Sequence, residues 1–256
     1  MGIQLKNKSE LDAMRRASMV VYEVHEHLTP LVKPGVTTLE LDEEVKILCE
    51  QKKVVPAFLN YPCSQRGAIP FPGLICVSPN EVIVHGIPDN KPLKEGDILS
   101  IDFGCSINGF FGDSARTHAI GEVSDSARKL LKVTEESLER AIEQCRVGNR
   151  IGDISYAVQH RVEREGFGIV REFVGHGIGS RMHEPPHVPN FGRPHQGRPL
   201  KAGMVLAIEP MVTVGAFDIK ILSDGWTAVT SDGSLSAHFE HTVAITDKGP
   251  WVLSRP

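Results

Sequence analysis

Residues 93–102, LKEGDILSID, return at 200–209 as LKAGMVLAIE. Leu, Lys, Gly, Leu and Ile recur at five of the ten positions. In both copies a turn containing glycine feeds an apolar stretch that ends in an acid, Asp102 or Glu209. Two turn-to-strand segments can resemble each other by chance. Here the identities run through turn and strand together, which favours an internal duplication. A duplicated chain folds as two related halves about a pseudo-two-fold axis, with Asp102 and Glu209 facing each other across it.

The rest of the chain keeps this rhythm. Ser9 is placed to cap a helix running to about Thr29, with Leu11, Met14, Ala17, Val21, Val24 and Leu28 on one face. Thr38 is placed to cap a second, with Leu41, Val45 and Leu48 inward. Residues 56–72, rich in Pro, Gly and small polar types, read as a long loop. Short strands at 74–77 and 82–84 precede a strand at 98–103, a turn at Asn108-Gly109 and a strand at 110–120. The order then starts again: a helix from Ser124 or Ser126 to about Val147, a helix capped by Asp153 and ending at Gly166, and strands at 169–174, 204–209, 211–214 and 238–246. The expected fold class is α+β. A single domain over 1–256 holds two pseudo-symmetric halves, about 9–120 and 124–250, with no low-complexity linker between them.

Composition narrows the function. A net charge of -4 argues against a nucleic-acid binder, yet leaves room for docking to a larger assembly through a local patch. Five cysteines, an odd number without a C-x-x-C pair, fit neither a disulfide framework nor a cysteine zinc site, and suit a reducing cytoplasm. The start, MGIQLKNKSELDAM, lacks the apolar core of a secretory signal, and no apolar run is long enough for a membrane span.

Against that ordinary background, four acids stand out. If Asn108-Gly109 is a two-residue hairpin turn, residue 107 pairs with 110 and 102 with 115. Alternation then puts Asp102, Asp113 and Ala115 on one face, with the two aspartates diagonal neighbours. Carboxylates on a solvated face are common. Asp102, however, interrupts ILSIDF, a run apolar enough to be buried, and Glu209 in VLAIEP and Glu240 in AHFEHTVAI repeat the pattern. Buried carboxylates repel unless a proton or a cation lies between them. His176 in VGHGIG has glycines on both sides that permit close approach. A phosphate loop is a weaker reading, because G-x-G-x-G is not G-x-G-x-x-G and no helix pattern follows. One imidazole and four carboxylates suit two divalent ions, a set that activates water and polarises a carbonyl.

At these residues the sequence resembles the type I methionine aminopeptidases of peptidase family M24, over nearly the whole chain. The resemblance rests on NEVIVHGIP at 80–88, Asp102-Phe103-Gly104, GDSART at 112–117, GHGIG at 175–179, His183-Glu184, Ile208-Glu209-Pro210 and SAHFEHT at 236–242. It implies the pita-bread fold, a pseudo-two-fold antiparallel sheet flanked by helices. It also implies removal of the initiator methionine from nascent chains when the second residue is small. The implied metal ligands are Asp102, Asp113, His176, Glu209 and Glu240, with Asp113 and Glu240 bridging two ions (Fe, Mn, Co or Zn). Glu209 is implied as general base and acid, His183 as the oxyanion donor, and His85 as a contact to the amide nitrogen. Phe58, Tyr61, Phe71, Cys76 and Trp226 are implied as the pocket for the methionine side chain. The same resemblance suggests a cytoplasmic monomer that associates transiently with the ribosome and has no membrane or nucleic-acid target. Proline-specific relatives carry a further N-terminal domain, for which no room precedes Ser9. Two departures from the family pattern occur: nine residues, 62–70, replace a short connection, and Met182 stands where Phe is usual. His118, His160, His195, His238 and His241 receive no role, and His25 and His27 are expected on a helix surface.

Overall fold

The computed structural model describes residues 2–63 and 69–256. Four α-helices are present among them: α1 (Lys8–Leu28), α2 (Thr38–Lys52), α3 (Asp125–Glu143) and α4 (Ile151–Glu163). Each begins where a side chain takes up orphan amide protons, but three caps differ from those expected. Asn7 caps α1, accepting from Glu10 N at 3.1 Å while Glu10 Oε2 accepts from Asn7 N at 2.8 Å; Ser9 lies inside the first turn. Thr37, not Thr38, makes the same reciprocal pair with Glu40. Asp153 lies three residues past the cap position at Arg150 and accepts from Arg150 N at 2.8 Å. Ser124 caps α3 as expected.

The strands form a nine-stranded sheet and two three-stranded ones. The hairpin Ile98–Ile107 with Phe110–Ala119 has the register set by its Asn-Gly turn, Ile107 opposite Phe110 and Asp102 opposite Ala115. Phe110–Ala119 meets Glu240–Thr246 through only two pairs, Ala115 with Glu240 and Ser114 with His241. Glu240–Thr246 pairs with Val205–Ile208, then Gly175–Gly177 and Glu184–Val188 follow. On the other flank, Cys76–Pro79 pairs with Ile98–Ile107.

Two strand expectations need correction. The strand read at 169–174 is only Gly168–Ile169. The strand read at 238–246 divides at Phe239 into Ser236–His238 and Glu240–Thr246. Pro210, opposite this break, has no N–H to continue the ladder; its carbonyl accepts from Phe239 N at 3.4 Å.

The duplication extends beyond the repeated segment. Gly96 and Gly203 hold φ of 91° and 88°, values that suit glycine. Asp97 N donates to Lys94 O and Met204 N to Lys201 O, each at 3.1 Å. Thr37 bridges to Pro92 and Arg150 to Pro199, so each half ties the start of its second helix to the residue before its repeat. Alternation then sorts the faces. Leu99, Ile101 and Phe103 pack with residues of α1 and α2, and Leu206, Ile208, Val243 and Ile245 with residues of α3 and α4. The opposite face carries Asp102, Glu209 and Glu240. Behind the site, Lys6 Nζ donates to Glu184 Oε2 at 2.5 Å, with side chains only 4% and 2% exposed.

Candidate active site

Residues paired directly across strands share a face, so register lays the site out in rows. One row runs Gly104, Asp113, Thr242, Ala207, His176. It is set by the pairs Gly104–Asp113, Thr242–Ala207 and Ala207–His176, and by the Thr242 hydroxyl donating to Asp113 O at 2.8 Å. The next row runs Asp102, Ala115, Glu240, with Glu209 continuing from Ile208 opposite Glu240. Glycine, alanine and threonine floor both rows, which leaves space for the acids to converge. Glycines beside His176 are required: a Cβ at 175 would lie 2.5 Å from Ala207 O, and one at 177 would lie 2.3 Å from Pro185 O.

Asp113, His176 and Glu240 each offer an atom within 4.8 Å of the others. Glu209 Oε1 lies 3.5 Å from His176 Nε2. Asp102 and Asp113 are close enough to share a hydrogen. Asp102 Oδ1, Asp113 Oδ1 and Glu240 Oε1 are buried without a hydrogen-bond partner. Burial raises the Asp102 carboxyl to about 7. Burial, then the neighbouring carboxylates, pushes Asp113, Glu209 and Glu240 well above the ordinary range. Burial, then the nearby His183, lowers His176 to about 3, so its ring is neutral. His176 Nδ1 lies 2.9 Å from Gly177 O and donates to it, which leaves the Nε2 lone pair facing the carboxylates. Orphaned carboxylate oxygens and a free imidazole lone pair fit hard divalent cations.

All twelve residues assigned from the sequence line one cavity above these rows. The His183 ring lies 4.2 Å from that of His176. Tyr61 Oη is 2.7 Å from His183 Nδ1. Burial raises the Tyr61 phenol, so it stays protonated; where it donates to Nδ1, the ring proton of His183 sits on Nε2. At the other end, His85 meets Phe173 and Trp226 edge-on at 5.2 and 6.3 Å. Phe71 meets Trp226 at 5.3 Å, and buried Phe58 and Cys76 complete the apolar wall. Met182 also lines the cavity. Ser64, Gln65, Arg66, Gly67 and Ala68 of the departing 62–70 segment lie outside the described residues.

Phe173, Met211 and His238 line the cavity without having been singled out from the sequence. The alternation that placed Glu240 also puts His238 on its face, a usable signal. His25 contradicts the surface expectation: it is fully buried, with Nε2 2.8 Å from Ser114 O. It follows Val21 by four residues and precedes Leu28 by three, so it shares their inward face. His27 is exposed beside Glu44. Cys49, Cys76, Cys105 and Cys145 are free thiols, and no helix among the described residues is long and apolar enough to cross a membrane.

Buried carboxylates and an imidazole on the floor of an apolar cleft define a metal-dependent hydrolase. The chain belongs to metallopeptidase family M24, whose model matches residues 12–247. It is 49% identical to a methionine aminopeptidase of Clostridium perfringens over 252 residues, 98% of each chain. A crystal structure of methionine aminopeptidase from Thermotoga maritima superposes with a TM-score of 0.95 at 41% identity, covering 100% of both chains. The prolidase of Pyrococcus furiosus shares the pita-bread fold, with a TM-score of 0.77 at 19% identity, over 98% of this chain and 65% of that one.

Proposed function

We propose that this chain is a methionine aminopeptidase acting as one catalytic domain, which releases N-terminal methionine from nascent polypeptides when the second residue is small. The observation that carries the reading is the set of orphaned, buried carboxylates beneath an aromatic, thiol-lined cleft. Asp102, Asp113, His176, Glu209 and Glu240 would hold two divalent cations, with Fe, Mn, Co and Zn all tolerated by such ligands. Bound there, the cations supply an activated water and polarise the scissile carbonyl.

The protein's own groups divide the remaining work. Glu209, held basic by burial, takes a proton and returns it to the departing amine. His183 donates to the oxygen that gains charge. His85, kept neutral by burial, contacts the amide nitrogen. Phe58, Tyr61, Phe71, Cys76 and Trp226 receive the methionine side chain, whose sulfur favours aromatic neighbours. In this reading the enzyme would be a cytoplasmic monomer with a transient association to the ribosome.

The test offers Met-Ala-Ser and an Ala-Pro peptide to protein reloaded with each cation. Methionine release from the first only is expected; cleavage before proline only, or none with any cation, refutes the reading. Asp102→Ala and Glu209→Gln should each lower kcat/KM by about a thousandfold or more. Full activity in either removes that residue from the mechanism.

A further inference from the structure

His238 follows from the pseudo-symmetry. Asp102 and Glu209 are equivalent in the repeat. Two residues further on, Gly104 pairs with Asp113, and Met211 pairs with His238. The axis passes between the paired residues Ala115 and Glu240. His238 therefore occupies, in the second half, the place that Asp113 occupies in the first. One half supplies a carboxylate there, the other an imidazole.

The imidazole is aimed at the site. His238 is 2% exposed, and its Nε2 has no hydrogen-bond partner. Its backbone is fixed on both sides by one hydroxyl: Thr117 Oγ1 accepts from His238 N at 3.0 Å and donates to His238 O at 2.8 Å. Its Nε2 lies 3.8 Å from Glu209 Oε2, while Glu209 Oε1 lies 3.5 Å from His176 Nε2. The two oxygens of Glu209 are thus bracketed by two rings. A histidine serving only to fill the core finds a partner for its buried nitrogen.

We infer that His238 is a positioning residue for Glu209: its Nε2 faces Oε2 from 3.8 Å, and a small turn of the carboxyl group brings Nε2–H into a hydrogen bond that fixes its rotation. That fixed rotation divides the labour of Glu209. Oε1 stays on the His176 side for the cation, and Oε2 faces the cavity as the oxygen that carries the proton. The inference rests on the role given to Glu209 above.

Two variants and one spectrum test it. His238→Leu removes the donor, and His238→Gln keeps one. In the cation-loaded enzyme, His238→Leu should lower kcat on Met-Ala-Ser by about tenfold to a hundredfold with KM nearly unchanged. His238→Gln should restore most of that loss, and cation content should be equal in all three proteins. In cation-free protein labelled with 15N-histidine, Glu209→Gln should move the His238 Nε2 resonance. An unchanged kcat in His238→Leu, no rescue by Gln, or lost cation overturns the inference. If the parent releases no methionine, the catalytic reading fails instead, and the resonance alone decides whether His238 engages Glu209.

Discussion

Removing the divalent cations should make this protein less stable as pH rises from about 7.5 to about 8.5, a sign set by the buried carboxyls. In the cation-free fold, Asp102 titrates at about 7, and Asp113, Glu209 and Glu240 lie well above the usual carboxylate range. In the unfolded chain the same groups ionise near 3.8 and 4.5. Between those limits the folded state holds more protons, so stability falls as pH rises. The buried histidines act oppositely: His25, His176 and His238 titrate at about 3 when folded, against 6.5 unfolded. Their stabilising effect is lost as pH falls below 6.5, and its slope fades over the pH unit above that value. The chosen window therefore isolates the carboxyls. Each proton retained by the fold costs about 1.4 kcal/mol per pH unit. At about 2–4 °C per kcal/mol for a chain of this size, each such proton lowers Tm by about 3–6 °C per pH unit. Bound cations replace the protons and remove the slope. Thermal melts of chelator-treated and manganese-reloaded protein across the window measure both. A cation-free Tm that stays level or climbs, or a slope that persists after reloading, refutes the reasoning.

Two further outcomes are expected. Lys6→Met leaves the Glu184 carboxylate buried without its partner, at a cost of about 3–5 kcal/mol, or roughly 10 °C in Tm. The paired change Lys6→Met with Glu184→Leu should cost less than Lys6→Met alone, which a calorimeter would show. Gly104→Ala puts a methyl 2.9 Å from Asp113 Oδ1 and 3.0 Å from Met182 Cε. Calorimetric titration with manganese should find affinity weakened by about tenfold or more, with the fold retained.

The features legible in the sequence were those in which one residue fixes many others. Asn108-Gly109 set a ten-pair hairpin register and with it the face of Asp102 and Asp113. The repeated turn and strand gave the axis. Three-residue strands such as Gly175–Gly177 and Ile219–Ile221 escaped, because so short a run has no measurable period and exists only through its partners. The caps moved because Asn7 and Thr37 each had a glutamate three residues on, a reciprocal signal that outweighs the hydroxyls of Ser9 and Thr38. His25 was misjudged because its residue type suggested surface, and His238 was passed over because no motif gave it a role, although their spacing placed them inward.

The seam at Ala115–Glu240 has a mechanical meaning. Two backbone ladder pairs, with hydroxyl bonds from Thr242 and Ser114 beside them, join Phe110–Ala119 to Glu240–Thr246. Across that narrow join, Asp102 and Asp113 belong to one half, and His176, Glu209 and Glu240 to the other. A cation gripped by both sets would work as a rivet between the two halves. The machinery that cuts a substrate and the fastener that keeps its own halves shut would then be one object. Wherever a chain doubles on itself, the joint is the natural position for such a rivet, since only there can each copy contribute a jaw.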